Sequence, residues 1–270
     1  MVKKLLKYEF KYYLRIIIFI LPVILSVGIA FRLLLAFPNE SVFYQILVFL
    51  FYSLMMFTFG ASTLFVSILG IIRFYKNLYG TEGYLTFTLP VSNKQHLFVK
   101  AFTSIVCDFI VILVNLLSFG IVLTAIPQHF GWDWMFVIVQ KIIQEPSYLH
   151  IFAFIFEFNI WLVVISISNT GIVYLCMSIG QLVNKNRILL SIGAYYAYGI
   201  VLEIIYSIIY FIVAFMAIFG LFEPIINFID AHPFLSIHVI LNSGIAISAG
   251  CAVLYYSLVL KIMNNRLNLE

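Results

Sequence analysis

Asp108, Glu157 and Glu203 are the side chains of this sequence best placed to do chemistry, because each lies inside a long apolar run. A carboxylate in the core of a bilayer costs about 2.5–3.5 kcal/mol on insertion scales, and more if it stands alone. Each must therefore face protein or water, or carry a proton. That leaves a polar translocation path, a proton relay, or a hydrogen bond between helices. Glu203 is the deepest of the three, Asp108 lies about two turns in from one surface, and Glu157 is nearer the other. Asn115, Asn159 and Asn169 read as packing hydrogen bonds.

Enzyme chemistry finds little to work with. His129, His150, His232 and His238 fall outside the apolar runs or at their edges, and His96 lies in a polar loop. None sits mid-span, so a membrane Ser–His dyad lacks its base. His232 and His238 with Asp230 make a metal trio, but the six-residue spacing without further ligands is weak. Cys107, Cys176 and Cys251 are scattered among apolar residues and read as packing groups rather than a disulfide or a metal cluster. There is no H-E-x-x-H and no G-x-x-x-x-G-K-[ST], so neither a zinc protease nor a nucleotide-hydrolysing site is expected.

The elements that must position these acids are membrane helices. The 270 residues are 64% hydrophobic, 18% aromatic and only 10% charged, with a mean hydropathy of +1.12. A soluble core of this size has no room for so much apolar surface. A spanning helix takes ~20 consecutive apolar residues. Six runs qualify: Ile16–Phe37, Phe43–Ile72, Ala101–Ile126, Ile151–Val183, Ile188–Phe219 and Val239–Leu260. They lack the in/out alternation of a membrane barrel. The first run is too long for a signal peptide and reads as a true span.

With the N-terminus inside, 13 of the 15 Lys and Arg residues fall on the inner side: Lys3, Lys4, Lys7, Lys11, Arg15, Arg73, Lys76, Lys94, Lys100, Lys185, Arg187, Lys261 and Arg266. Lys141 is outside, and Arg32 lies near the outer end of the first span, where it snorkels or pairs with Glu40. The positive-inside rule then puts both termini in the cytoplasm. The net charge of +4 suits a membrane surface and its lipids, not nucleic acid.

The connections carry further signals. Residues 1–15 place Leu6, Phe10, Tyr13 and Ile17 on one helical face and Lys4, Lys7, Lys11 and Arg15 on the other, which predicts an amphipathic helix in the inner leaflet. Residues 127–149 contain Trp132 and Trp134, then Met135, Val139, Ile142 and Ile143 at helical spacing; this predicts a helix on the outer surface, ended by Pro146. Residues 188–222 are too long for one span, and Gly220, Pro224 and Pro233 punctuate the stretch leading to the sixth run. A span ending near Val213 and one or two short non-spanning helices over 216–236 are expected. Gly244 with Ser248, and Ala246 with Gly250, offer small-residue packing faces.

One passage, residues 73–100, is polar and longer than a connection needs. Either glycine of "LYGTEGY" can end a helix, and Thr81 or Asn77 can cap a new turn. Leu85, Phe87, Leu89 and Val91 alternate with Thr86 and Thr88, which looks extended, and Pro90 restricts Leu89, so the passage reads as a short helix, a tight turn and an extended "TLPVS" piece. Ser92 or Asn93 caps the next helix. The passage should offer Glu82, Tyr84 and Phe87 to the cytoplasm, and aromatic groups beside charge suit a docking surface.

The run "EGYLTFTLPVSNKQHLFVK" resembles the first cytoplasmic loop of type-2 ATP-binding-cassette (ABC) exporter permeases, notably the small six-span permeases of low-GC Gram-positive bacteria. "LLKYEFKYYLR" resembles their opening helix. The resemblance implies an all-α polytopic permease in the cytoplasmic membrane, with no ATPase site of its own. A separate cytoplasmic ABC ATPase, holding ATP and Mg²⁺, would dock on a coupling element of Glu82, Gly83, Tyr84, Leu85, Thr86, Leu89 and Pro90. A second permease copy or a paralogue would complete a path for a hydrophobic or amphipathic peptide, drug or lipid, with Asp108, Glu157 and Glu203 as candidate lining residues. Two other readings stand beside it: a proton-coupled secondary transporter, which predicts inverted repeats, and a non-transporting scaffold or immunity protein.

Overall fold

The computed structural model describes residues 2–39, 41–80, 82–124, 148–183 and 185–265. These residues form helices and no strand. In chain order the helices are α1 (Val2–Leu35), α2 (Val42–Leu78), α3 (Gly83–Phe87), α4 (Asn93–Leu123), α5 (Tyr148–Gly180), α6 (Arg187–Ile218), α7 (Glu223–Ala231) and α8 (Pro233–Asn265). Six of them, all but α3 and α7, are long and apolar enough to cross a membrane. The protein is an all-α, polytopic membrane protein. It divides into two compact units, Met1–Gln144 and Glu145–Glu270.

In the first unit α1, α2 and α4 pack against one another, with α3 against the end of α2. Tyr13, Ile17, Ile24, Val66, Cys107 and Val111 form the main buried cluster, and Phe31, Met55 and Val122 form a second. Lipid tails are as apolar as these side chains, so burial alone does not hold the bundle together; close approach and hydrogen bonds do. A Cβ on Gly28 would stand 3.0 Å from the Ser118 carbonyl oxygen, and Ser118 Oγ donates to the Ile24 carbonyl at 3.0 Å. Asn115 Nδ2 donates to Ser62 Oγ at 3.0 Å, the packing role expected of this asparagine.

In the second unit α5 packs on α8 and α6, and α7 on α8. Gly244 receives the Trp161 ring, and Trp161 Nε1 donates to Ser248 Oγ at 3.3 Å. The Gly244–Ser248 face is therefore the packed one, while Gly250 meets nothing within 4 Å. Gly180 ends α5 where α6 begins. A Cβ there would overlap Ser191 Oγ and stand 2.5 Å from the Arg187 carbonyl oxygen. Because that oxygen is backbone, Gly180→Ala should cost about 3 kcal/mol. Gly193→Ala, with open space at its Cβ, should be neutral or slightly stabilising. Thiol alkylation of buried Cys176 during heating reads both.

Several boundaries differ from the sequence expectation. Residues 1–15 are no separate in-plane helix: α1 runs unbroken from Val2 to Leu35, because the face carrying Tyr13 and Ile17 continues into the buried cluster. α6 continues past Val213 to Ile218, and the segment after it holds one nine-residue helix, α7, before α8 starts at Pro233. Arg32 Nε donates to Thr124 Oγ1 at 2.8 Å; its other expected partner, Glu40, lies outside the described residues. So do the Thr81 cap and the outer-surface helix up to residue 147, Tyr148 and Leu149 belonging to α5.

Candidate functional site

The polar passage between α2 and α4 folds as a helical knuckle. α2 ends at Leu78, with the Tyr79 and Gly80 amides both donating to the Tyr75 carbonyl. α3 comes next. Its last three residues, 85–87, are helical where alternation had suggested an extended run. The threonine hydroxyls bond locally: Thr86 Oγ1 donates to the Glu82 carbonyl at 3.0 Å and Thr88 Oγ1 to the Leu85 carbonyl at 2.8 Å. Alternation over so few residues does not separate an extended piece from a helical turn. Only residues around Ser92 remain extended, and Ser92 opens α4, its amide donating to Gln95 Oε1 at 3.2 Å.

The knuckle has a buried side and an open side. Gly83 is buried, and Phe87 turns inward, edge-on to buried His96 with ring centres 6.2 Å apart. Phe87 is thus not offered to solvent as expected. Tyr84 and Leu85 are 55% and 73% exposed, and Leu89 and Pro90 are exposed beside them.

Beneath the knuckle lies a charge network that joins all three long helices of the unit. Glu9 of α1 is 5% exposed and Lys100 of α4 is 5% exposed; Lys100 Nζ donates to Glu9 Oε1. Arg73 of α2 donates through Nε to Glu9 Oε2 at 3.2 Å, and Asn77 Nδ2 to Glu9 Oε1 at 3.4 Å. The Arg73 guanidinium lies 4.3 Å from the centre of the Tyr12 ring. Its outer nitrogen stands 3.6 Å from Glu82 Oε2 at the start of α3. Two acids face two bases, so the network carries no net charge; Glu9 and Lys100 lie out of water, while Glu82 is half exposed. Glu82 is the surface end of this network rather than a lone exposed charge.

Sequence reasoning missed Glu9, and a signal was there. It stands four residues before Tyr13 and eight before Ile17, on the apolar face rather than the basic one. An acid on a face that packs needs a buried base. Arg73 and Lys100, read as part of a basic belt, supply two.

The three acids inside apolar runs are not brought into one site. Asp108 lies in the first unit, where Ser67 Oγ donates to its Oδ1 at 3.3 Å. Glu157 binds His238 Nδ1 through both oxygens at 2.9 and 2.8 Å and accepts from Asn242 Nδ2 at 3.1 Å. Glu203 is exposed halfway along α6, in shallow hollows beside Tyr206, Ser207 and Tyr210, with no hydrogen bond or ion pair among the described residues. The apolar cleft between α1, α2 and α4, about 210 Å³, is below the ~300 Å³ usual for a drug-sized ligand. No group of three or more His, Cys, Asp or Glu among the described residues is placed to hold a metal. His232 packs edge-on to Phe228 and does not join His238. The chain matches no protein family, no curated protein and no solved structure.

Proposed function

We propose that this polytopic membrane protein is the membrane subunit of an ATP-driven ABC exporter, and that α3 is where a separate ATPase subunit docks. One observation carries the reading: an apolar tip, Tyr84 and Leu85, stands exposed on a short helix whose base joins a buried charge network. An exposed aromatic and a leucine on a rigid mount suit a groove on a partner. A solvated loop needs neither.

The division of labour rests on energetics. The partner binds ATP and Mg²⁺, and closure of two ATPase subunits supplies differential binding energy between two states. Tyr84, Leu85, Leu89 and Pro90 make the contact. Glu82, held by Arg73, passes the displacement to α2 and, through Glu9, to α1 and α4, which then move as a body. Pro90 and buried Gly83 fix the shape of the knuckle, and Thr86 bonds back to the Glu82 carbonyl. In this reading the α3 end and both termini face the cytoplasm, as the basic residues favour. A second copy or a paralogue completes the path. Glu203 is the first choice for a lining residue because nothing among the described residues neutralises it. Asp108 and Glu157 are held by neighbouring side chains, which suits a packing role.

Transport by proteoliposomes holding this chain and an ABC ATPase tests the driving force. Movement of a labelled amphipathic peptide should require ATP and survive a protonophore. Collapse of transport by the protonophore with ATP present would favour a proton-coupled carrier instead.

A further inference from the structure

A second polar cluster lies in the other unit and has no part in the docking proposal. His150, in the first turn of α5, and His238, in α8, face each other with His150 Nδ1 3.2 Å from His238 Nε2. The far nitrogen of His238 is occupied: Nδ1 lies 2.8–2.9 Å from both oxygens of Glu157, and Asn242 Nδ2 holds the same carboxylate. A carboxylate at Nδ1 fixes the tautomer, because only an N–H can sit there. In the neutral ring Nε2 then carries the lone pair, directed at His150. The His150 ring stacks on Phe234, centres 5.0 Å apart, and His238 lies 4.3 Å from the Phe154 ring. His238 is therefore held in orientation, whereas exposed His150 rests on its ring contacts.

We infer that His150 Nδ1 and His238 Nε2 form a binding site for one divalent transition-metal ion of the Zn²⁺, Ni²⁺ and Cu²⁺ class. Two imidazole nitrogens on a tetrahedral ion with bonds of about 2.0–2.1 Å lie about 3.3 Å apart, close to the 3.2 Å observed. The pair now meets almost head-on, with ring centres 5.5 Å apart. Binding needs the two lone pairs to converge on one side, which a rotamer adjustment of exposed His150 supplies. His150 takes the tautomer with its proton on Nε2, whose N–H donates to water, and so presents its own lone pair at Nδ1. Glu157 and Asn242 are the outer partners that a metal-bound histidine ordinarily has. Water completes the coordination. Imidazole donors suit these ions, whereas Mg²⁺ and Ca²⁺ demand oxygen. The bound ion ties the first turn of α5 to α8.

The test is calorimetric titration of the full, tag-free chain in nanodiscs with ZnCl₂ or NiCl₂. One saturable site per chain is expected, with no heat from MgCl₂ or CaCl₂. His150→Ala and His238→Ala should each abolish it. Glu157→Gln should weaken it by about 10–100-fold, and His232→Ala should leave it unchanged. His150 is exposed, so its alanine variant tests the site even if His238→Ala fails to fold. An unbroken baseline with the unaltered chain would overturn the inference, as would binding that survives His150→Ala. Neither result depends on an ATPase partner.

Discussion

Glu9→Gln should destabilise the first unit by about 3–5 kcal/mol, the cost of leaving a buried charge without its counter-ion. The stranded charge is the Lys100 ammonium, 5% exposed and donating to Glu9. Arg73 suffers less, since it keeps the Tyr12 ring and Glu82. The same physics predicts that the damage is reversible by subtraction. Removing both charges, in Glu9→Gln with Lys100→Met, should recover most of the loss, because two buried ions are replaced by groups that need little water. Lys100→Met alone should cost less than Glu9→Gln, since Glu9 still faces Arg73 and Asn77. Cys107 is wholly buried in the core of this unit, so its alkylation during heating, in a chain with Cys176 and Cys251 replaced by serine, reports the unit directly. A Glu9→Gln protein that melts with the parent would mean that the network carries no weight.

Leu85→Asp should abolish association with an ATPase subunit while leaving the membrane helices intact. Leu85 is 73% exposed and touches little of its own chain, so a charge there costs the free protein almost nothing. In a complex it would be driven into an apolar groove. Loss of a central anchor costs at least ~2 kcal/mol, or about 30-fold in affinity, and a buried unpaired carboxylate adds to that. Tyr84→Ala should weaken binding by a similar anchor's worth. Glu82→Gln should do much less to binding, because its pair with Arg73 is half exposed and such pairs are worth ~0–1 kcal/mol. Its effect belongs in the coupling of hydrolysis to transport.

The apolar runs made the six spans legible, since a bilayer leaves few ways to satisfy twenty consecutive peptide groups. Helix ends were less legible. α1 absorbs residues 1–15 because extending an existing helix costs far less than starting one, and its Tyr13–Ile17 face stays buried throughout. The Leu85–Val91 alternation pointed to an extended run, but over so few residues side-chain periodicity does not separate an extended piece from a turn of helix. The polar sites were hidden by distance along the chain. Glu9 meets Arg73 and Lys100 across 64 and 91 residues, and Glu157 meets His238 across 81. Glu157 was flagged as costly without its partner being named, and Glu9 was passed over because its partners lie so far along the chain.

Docking is best tested by co-purification: the chain is expressed with an ABC ATPase from its own genome, and ATPase recovered per chain is compared for the unaltered protein and Leu85→Asp, with Cys107 protection confirming that both are folded. Docking through α3 predicts stoichiometric recovery with the unaltered protein and almost none with the variant. Equal recovery from both, or none from either, would contradict it.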